Sequence, residues 1–224
     1  MKKSMLFVPF LAVALAACNT PGSTPSSNEV QTVPEAALPG EVREAINEFV
    51  PSNQSDSLQA NSVGVVKLQT KNLPANVSTA NFVNAAGEAS GWLLAVSSNK
   101  KVFVLTNLTG TLTGTLTNGD HGIHVHAGGE CSSATGVFSG AKAHYDPELT
   151  NKHGTVNATR LEAHAGDLGN IGVNQNRAWR VISTGKFGIA ELRGKSVIVH
   201  ALADDGLTQP TGGSGARVLC ALLN

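Results

Sequence analysis

Six of the seven histidines in this 224-residue chain fall where they could bind a metal. His124 and His126 form a His-x-His pair, His144, His153 and His164 follow, and Asp167 lies three residues beyond the last. His200 closes the apolar run Val197-Ile198-Val199. Imidazole is the commonest protein metal ligand, and several imidazoles with one carboxylate describe a site for zinc, copper or both. Alternate residues of a strand face the same side, so His124 and His126 can aim at one ion. His144, His153, His164 and Asp167 supply three imidazoles and a carboxylate, the donor set of a closed tetrahedral zinc site. Taken singly, the pair could belong to a surface strand, His200 to a core rim, and Asp167 to the turn Gly166-Asp167-Leu168-Gly169.

The elements that would position these residues are strands. The segments 63–68, 90–97, 101–108, 122–126, 177–183, 196–200 and 216–222 are β-branched or alternating, with Gly, Asn, Asp and Pro between them. Residues 109–117 read as strand or extended loop. No long helical period follows residue 60, so the expectation is an all-β antiparallel sandwich or barrel. Two stretches, 127–176 and 201–215, lack strand character and read as long functional loops. Upstream, Val42, Ala45, Ile46, Phe49 and Val50 have helical spacing before Pro51, which predicts one short amphipathic helix docking on the domain. The expected division is 1–17 signal, 18–61 tether and helix, and 62–224 a single domain.

Lys2 and Lys3 precede an apolar run from Leu6 to Ala17 that is too short to span a bilayer and reads as a secretory signal. Its ending, Leu15-Ala16-Ala17-Cys18, resembles a bacterial lipoprotein signal, in which Cys18 becomes the lipidated first residue. The alternative is an ordinary signal cut nearby. The implied location is an extracytoplasmic face of a bacterial envelope, with the membrane as partner through Cys18. Cys131 and Cys220 remain, and an oxidising compartment favours a disulfide between them over two free thiols. Net charge is zero and there is no basic tract, which argues against nucleic acid.

Several stretches together resemble the copper/zinc superoxide dismutase family. They are His121-Gly122-Ile123-His124-Val125-His126, Ala143-His144-Tyr145-Asp146-Pro147, Asn151-Lys152-His153-Gly154 and Ala163-His164-Ala165-Gly166-Asp167-Leu168-Gly169-Asn170. Val199-His200-Ala201-Leu202-Ala203-Asp204-Asp205 and Gly215-Ala216-Arg217-Val218-Leu219-Cys220 extend the likeness. The resemblance implies a Greek-key β-sandwich or flattened barrel. It implies copper on His124, His126, His144 and His200, and zinc on His144, His153, His164 and Asp167, with His144 bridging. Asp204 would link ligands of the two metals, Arg217 would attract and position superoxide, and Cys131 and Cys220 would form the family's disulfide. Superoxide would be dismuted to oxygen and hydrogen peroxide, with His144 carrying a proton. His121 has no ligand counterpart and reads as structural or superficial, and Asp205 as a solvated turn acid. The stretch between His200 and Arg217 is short for the family and has no lysine, so steering of the anion would rest on Arg217 with Lys142 or Lys152. Competing readings are a non-catalytic zinc- or copper-carrying envelope protein of the same fold, a copper-only dismutase, and a structural lipoprotein. Monomer and homodimer are both open from one chain.

Overall fold

The computed structural model describes residues 38–49, 67–109, 116–135 and 137–224. The signal, the lipidation cysteine, most of the tether and residues 63–66 of the first expected strand lie outside them. Among the described residues eight strands are formed: β1 (Val77–Val83), β2 (Ala89–Ser98), β3 (Lys101–Leu108), β4 (Gly119–His126), β5 (Asp167–Val173), β6 (Ala178–Thr184), β7 (Ser196–His200) and β8 (Arg217–Leu222). They make one antiparallel sheet in the order β5-β4-β7-β8-β1-β2-β3-β6. Neighbours in space are not always neighbours in sequence: β7 lies between β4 and β8, and β6 beside β3. Those crossovers are the expected Greek-key connections. The two edge strands, β5 and β6, touch each other, which nearly closes the sheet into a barrel.

Period-two burial explains both the core and the site. In β4, Ile123 and Val125 enter the barrel core, which turns His124 and His126 to the other face. In β7, Val197 and Val199 do the same and turn Ile198 and His200 outward. The long loops then cover that outer face, so these histidines are buried by loops rather than by the core.

β2 is buried on both faces. Leu93 and Ala95 face the barrel core, while Trp92, Leu94 and Val96 face a second cluster. That second cluster is closed by α1 (Gly40–Phe49), which contributes Val42, Ala45, Ile46 and Phe49. The short helix therefore docks on the barrel wall as its spacing predicts, each large apolar side chain contributing on the order of 1.5–3 kcal/mol by leaving water.

Two expectations need correction. Lys67 and Leu68 lie outside any strand, and the first described strand is β1 instead. Its sequence, Val-Ser-Thr-Ala-Asn-Phe-Val, hides Ser78 and Thr79 in the interior, where Ser78 Oγ donates to Asn224 O and Thr79 Oγ to Gln69 O, so the apolar alternation is interrupted. The stretch 127–176 is not strand-free, because β5 occupies its end. Asp167-Leu-Gly-Asn-Ile-Gly-Val is rich in poor strand formers and is held by pairing with β4. In 109–117, residues 110–115 lie outside the description, and Thr109, Leu116 and Thr117 are in no strand.

Candidate metal centre

The loop after β4 is laced back onto it. Ala127 N donates to Ala143 O, Tyr145 N to Val125 O, Gly166 N to Tyr145 O, and Val125 N to Gly166 O, all within 2.8–2.9 Å. This brings His144 opposite His126 and places Asp167 at the start of β5. Gly166 is required here, since a Cβ would overlap Val125 O. Cys131 and Cys220 form a disulfide, which fixes the same loop to β8.

Two compact donor groups result. His124, His126, His144 and His200 form the first, each offering one atom within 4.8 Å of the others. The second is His124, His144, His153 and Asp167 on the same criterion. His164 stands beside it: Asp167 Oδ1 lies 2.8 Å from His144 Nδ1, 3.1 Å from His153 Nδ1 and 3.4 Å from His164 Nδ1. All six histidines are buried, between 0 and 6% exposed.

The hydrogen-bond pattern decides which nitrogens are free. His126 Nδ1–H donates to Lys142 O at 2.9 Å, and His200 Nδ1–H to Gly215 O at 3.1 Å. His124 Nε2–H donates to Asp204 Oδ2 at 2.9 Å, and His153 Nε2–H to Asp204 Oδ1 at 2.8 Å. His124 Nδ1, His126 Nε2, His144 Nε2 and His200 Nε2 are left buried without a hydrogen-bond partner, as are His153 Nδ1 and His164 Nδ1. Unpaired buried polar atoms are rare and costly, and here they converge. Tying one ring nitrogen as a donor leaves the lone pair on the other, which is how second partners prepare a metal-ligating histidine. Four imidazoles on one side suit copper; three imidazoles with a carboxylate on the other suit zinc.

Electrostatics agree. Burial pushes His124 down to about 3, assisted by His144 and His200 and opposed by Asp204. His200 falls to about 4, again mainly through burial, and His126 and His144 are lowered for the same leading reason. These imidazoles are held neutral, the state that binds a metal. Burial also opposes charge on His153, but the carboxylates of Asp167, 3.1 Å from Nδ1, and of Asp204, bonded to Nε2, outweigh it and raise it to about 9. Both carboxylates are held well below the usual range: burial opposes this, and the histidines around them prevail.

Asp204 joins the two groups, taking His124 with one oxygen and His153 with the other. Asn170 clamps its backbone, donating from Nδ2 to Asp204 O at 2.7 Å and accepting from Asp204 N at 2.6 Å. Gly212, at φ +66°, leaves room for the Asp204–His153 bond, which a Cβ would overlap. Arg217 is half-buried, its guanidinium donating to Phe138 O at 2.6 Å and to Lys142 O. It pairs with His200 across β7 and β8 and helps depress that imidazole. Lys142 and Lys152 are exposed. His121 is buried rather than superficial, with its two nitrogens facing His200 O at 3.0 Å and Thr117 O at 2.9 Å. Asp205 is exposed and accepts from Leu207 N and Thr208 N.

The sequence reading missed three supports. Asn170 stood in a quoted motif without a role. Gln209 grips His153 from both sides, accepting from its N–H at 2.7 Å and donating to its carbonyl at 2.9 Å. Lys186 bonds to loop carbonyls from below. Only Asn170, beside Asp167 in the motif, carried a signal; Gln209 and Lys186 read as loop residues.

The sequence pattern of copper/zinc superoxide dismutases matches residues 89–223. The chain belongs to that family. A copper/zinc superoxide dismutase of Photobacterium leiognathi is 38% identical over 116 residues, 48% of this chain and 66% of the relative. One of Deinococcus radiodurans is 32% identical over 114 residues, 46% of this chain and 63% of the relative. The chain thus spans just under two thirds of the length of these relatives. In fold it is similar to the copper/zinc superoxide dismutase of Brucella abortus, with a TM-score of 0.57 at 24% identity, covering 65% of this chain and 98% of that one.

Proposed function

We propose that this protein is a superoxide dismutase that holds copper on His124, His126, His144 and His200 and zinc on His144, His153, His164 and Asp167. The observation that carries the reading is His144: its Nδ1 meets Asp167 on one side, while its unpartnered Nε2 faces the group of His124, His126 and His200 on the other. One imidazole can serve two cations only from such a position.

Copper bound there would supply the one-electron chemistry, oxidising one superoxide to oxygen and reducing a second to the peroxide level. The protein supplies geometry and charge. Arg217, fixed by two carbonyls, presents a cation beside His200 to attract and orient the anion. His144 Nε2 holds a proton for the reduced product, and a second comes from water, so two superoxides and two protons give oxygen and hydrogen peroxide. Asp204 and the carbonyls of Lys142 and Gly215 hold the rings of His124, His153, His126 and His200 in their tautomers.

The proposed place of action is outside the cytoplasm, anchored to a bacterial membrane through lipid on Cys18. The apolar run from Leu6 to Ala17 and its Leu-Ala-Ala-Cys ending support this. A Cys131–Cys220 disulfide suits an oxidising compartment. The domain proper is taken as 62–224.

Metal content and superoxide dismutation measured on one reconstituted preparation test the reading. About one copper and one zinc per chain, with activity lost on copper removal, is the expected result. Zinc alone and no activity would favour a non-catalytic carrier of the same fold.

A further inference from the structure

Lys186 lies just beyond β6 and takes no part in the chemistry above. It is 5% exposed. Its Nζ donates to Asp167 O at 2.9 Å, Thr155 O at 3.1 Å and His164 O at 3.5 Å. An ammonium has three N–H donors and no acceptor, so each donor is used. Among the described residues it forms no ion pair with a carboxylate. A charged group is therefore buried with carbonyls as its hydrogen-bond partners; burial lowers its proton affinity, and the nearby carboxylates of Asp167 and Asp204 oppose that. Burying a charge is costly unless its hydrogen bonds are met, and all three partners belong to one segment.

That segment needs a fastening. From Gly154 to Glu162 there is no strand, no helix and no fully buried side chain. Loops without a core fluctuate and open readily. Yet His153 precedes it, and His164 and Asp167 follow it. Two of the three carbonyls held by Lys186 belong to those very donors.

We propose that Lys186 is a positioning residue: a built-in cation that holds the His153–Asp167 segment in its metal-ready shape before zinc arrives. The inference rests on the zinc assignment made above. The affinity of a site whose competent state is only partly populated falls in proportion to that population, so loosening the segment weakens zinc binding even though no ligand is lost. The ammonium also repels an incoming cation, and this works the other way. Zinc affinity shows which effect wins, and the fully bonded geometry assigns the larger one to preorganisation.

The test compares wild type with Lys186→Met, which keeps the apolar stem and removes the charge. Zinc affinity is read by chelator competition, and amide hydrogen exchange of residues 153–167 is read with and without zinc. The expected result is about a tenfold or greater loss of zinc affinity, the scale seen when outer partners of metal ligands are removed. Exchange across the segment should quicken in the metal-free variant and recover with zinc. Leu105→Ala, a core change in β3, should lower the melting temperature and leave zinc affinity alone, which separates positioning from general stability. Should the Met variant not fold without metal, Lys186→Gln is read by the same criteria. Unchanged or tighter zinc binding in the variant, or unchanged exchange in its metal-free form, overturns the role of Lys186. A wild type that binds no zinc overturns the ligand assignment itself.

Discussion

Asp204→Asn should separate the two metals. Asp204 is 2% exposed, and Asn170 fixes its backbone, so a replacement cannot retreat. The amide has the shape of the carboxylate but only one accepting end. Oδ1 accepts from both His153 Nε2 at 2.8 Å and Gly206 N at 2.7 Å, whereas Oδ2 accepts from His124 Nε2 alone at 2.9 Å. The amide oxygen will therefore take the Oδ1 position, and its NH2 will confront the His124 Nε2–H, donor against donor. His124 must then move its proton to Nδ1, the nitrogen that faces the other histidines, or rotate away. One hydrogen bond to a charged group is worth about 1.5–3 kcal/mol, which is about 10–150-fold in affinity at the His124 side. Loss at the zinc side should be smaller, because His153 keeps its acceptor. Copper and zinc are titrated separately into metal-free protein against competing chelators. Copper affinity within about twofold of wild type, or a larger loss for zinc than for copper, would show that Asp204 does not set the His124 tautomer.

His124→Ala should abolish dismutation while zinc stays bound; wild-type rates in that variant would sink the copper assignment. Asp167→Ala removes the carboxylate on which three Nδ1 atoms converge, so zinc should loosen and stability should fall by about 3–5 kcal/mol, as when one member of a buried pair is removed; unchanged zinc content would count against its role. Arg217→Ala should slow the reaction and flatten its dependence on salt, and equal rates and salt slopes would leave the arginine without a part in steering. For the metal-free protein the pH dependence has two arms. His124, His126, His144 and His200 have folded pKa values below the unfolded value of about 6.5, so their contribution is present above that pH and is lost as pH falls toward 4. Each adds up to about 1.4 kcal/mol per pH unit. His153 is raised, so its contribution is full below about 6.5 and fades as pH climbs to about 9. Thermal unfolding of the metal-free form should peak near neutrality, and a melting temperature that rises on acidification from 6.5 to 5 would contradict the burial of neutral imidazoles.

The histidines were legible because a metal site demands particular residue types, and those types are scarce elsewhere in the chain. The helix was legible from its spacing, and so were the strands whose alternation is clean. β1 and β5 were not. One hides Ser78 and Thr79 inside by giving their hydroxyls backbone acceptors, and the other tolerates two glycines because β4 pairs along it, with one bulge between Asp167 and Asn170. In both cases tertiary partners override the local preference. The same reason hid Gln209 and Lys186: each acts through backbone atoms of a distant segment, which no spacing along the chain encodes.

The placement of charge around the site argues for a division of labour between two kinds of support. On the proposed copper side the fixed partners are mostly carbonyls, of Lys142 and Gly215, and the Arg217 guanidinium acts on His200. That leaves the side little negative charge, which suits a cleft that must admit an anion. On the zinc side two carboxylates converge, which suits a resident cation. Asp204 stands at the border and belongs to both. His144 reaches Asp167 with one nitrogen and the open side with the other, so under the proposed function it is the residue through which the acidic half would hold a ring steady while the other half exchanges a proton. Asp204→Asn probes that border from one side, and Asp167→Ala probes it from the other.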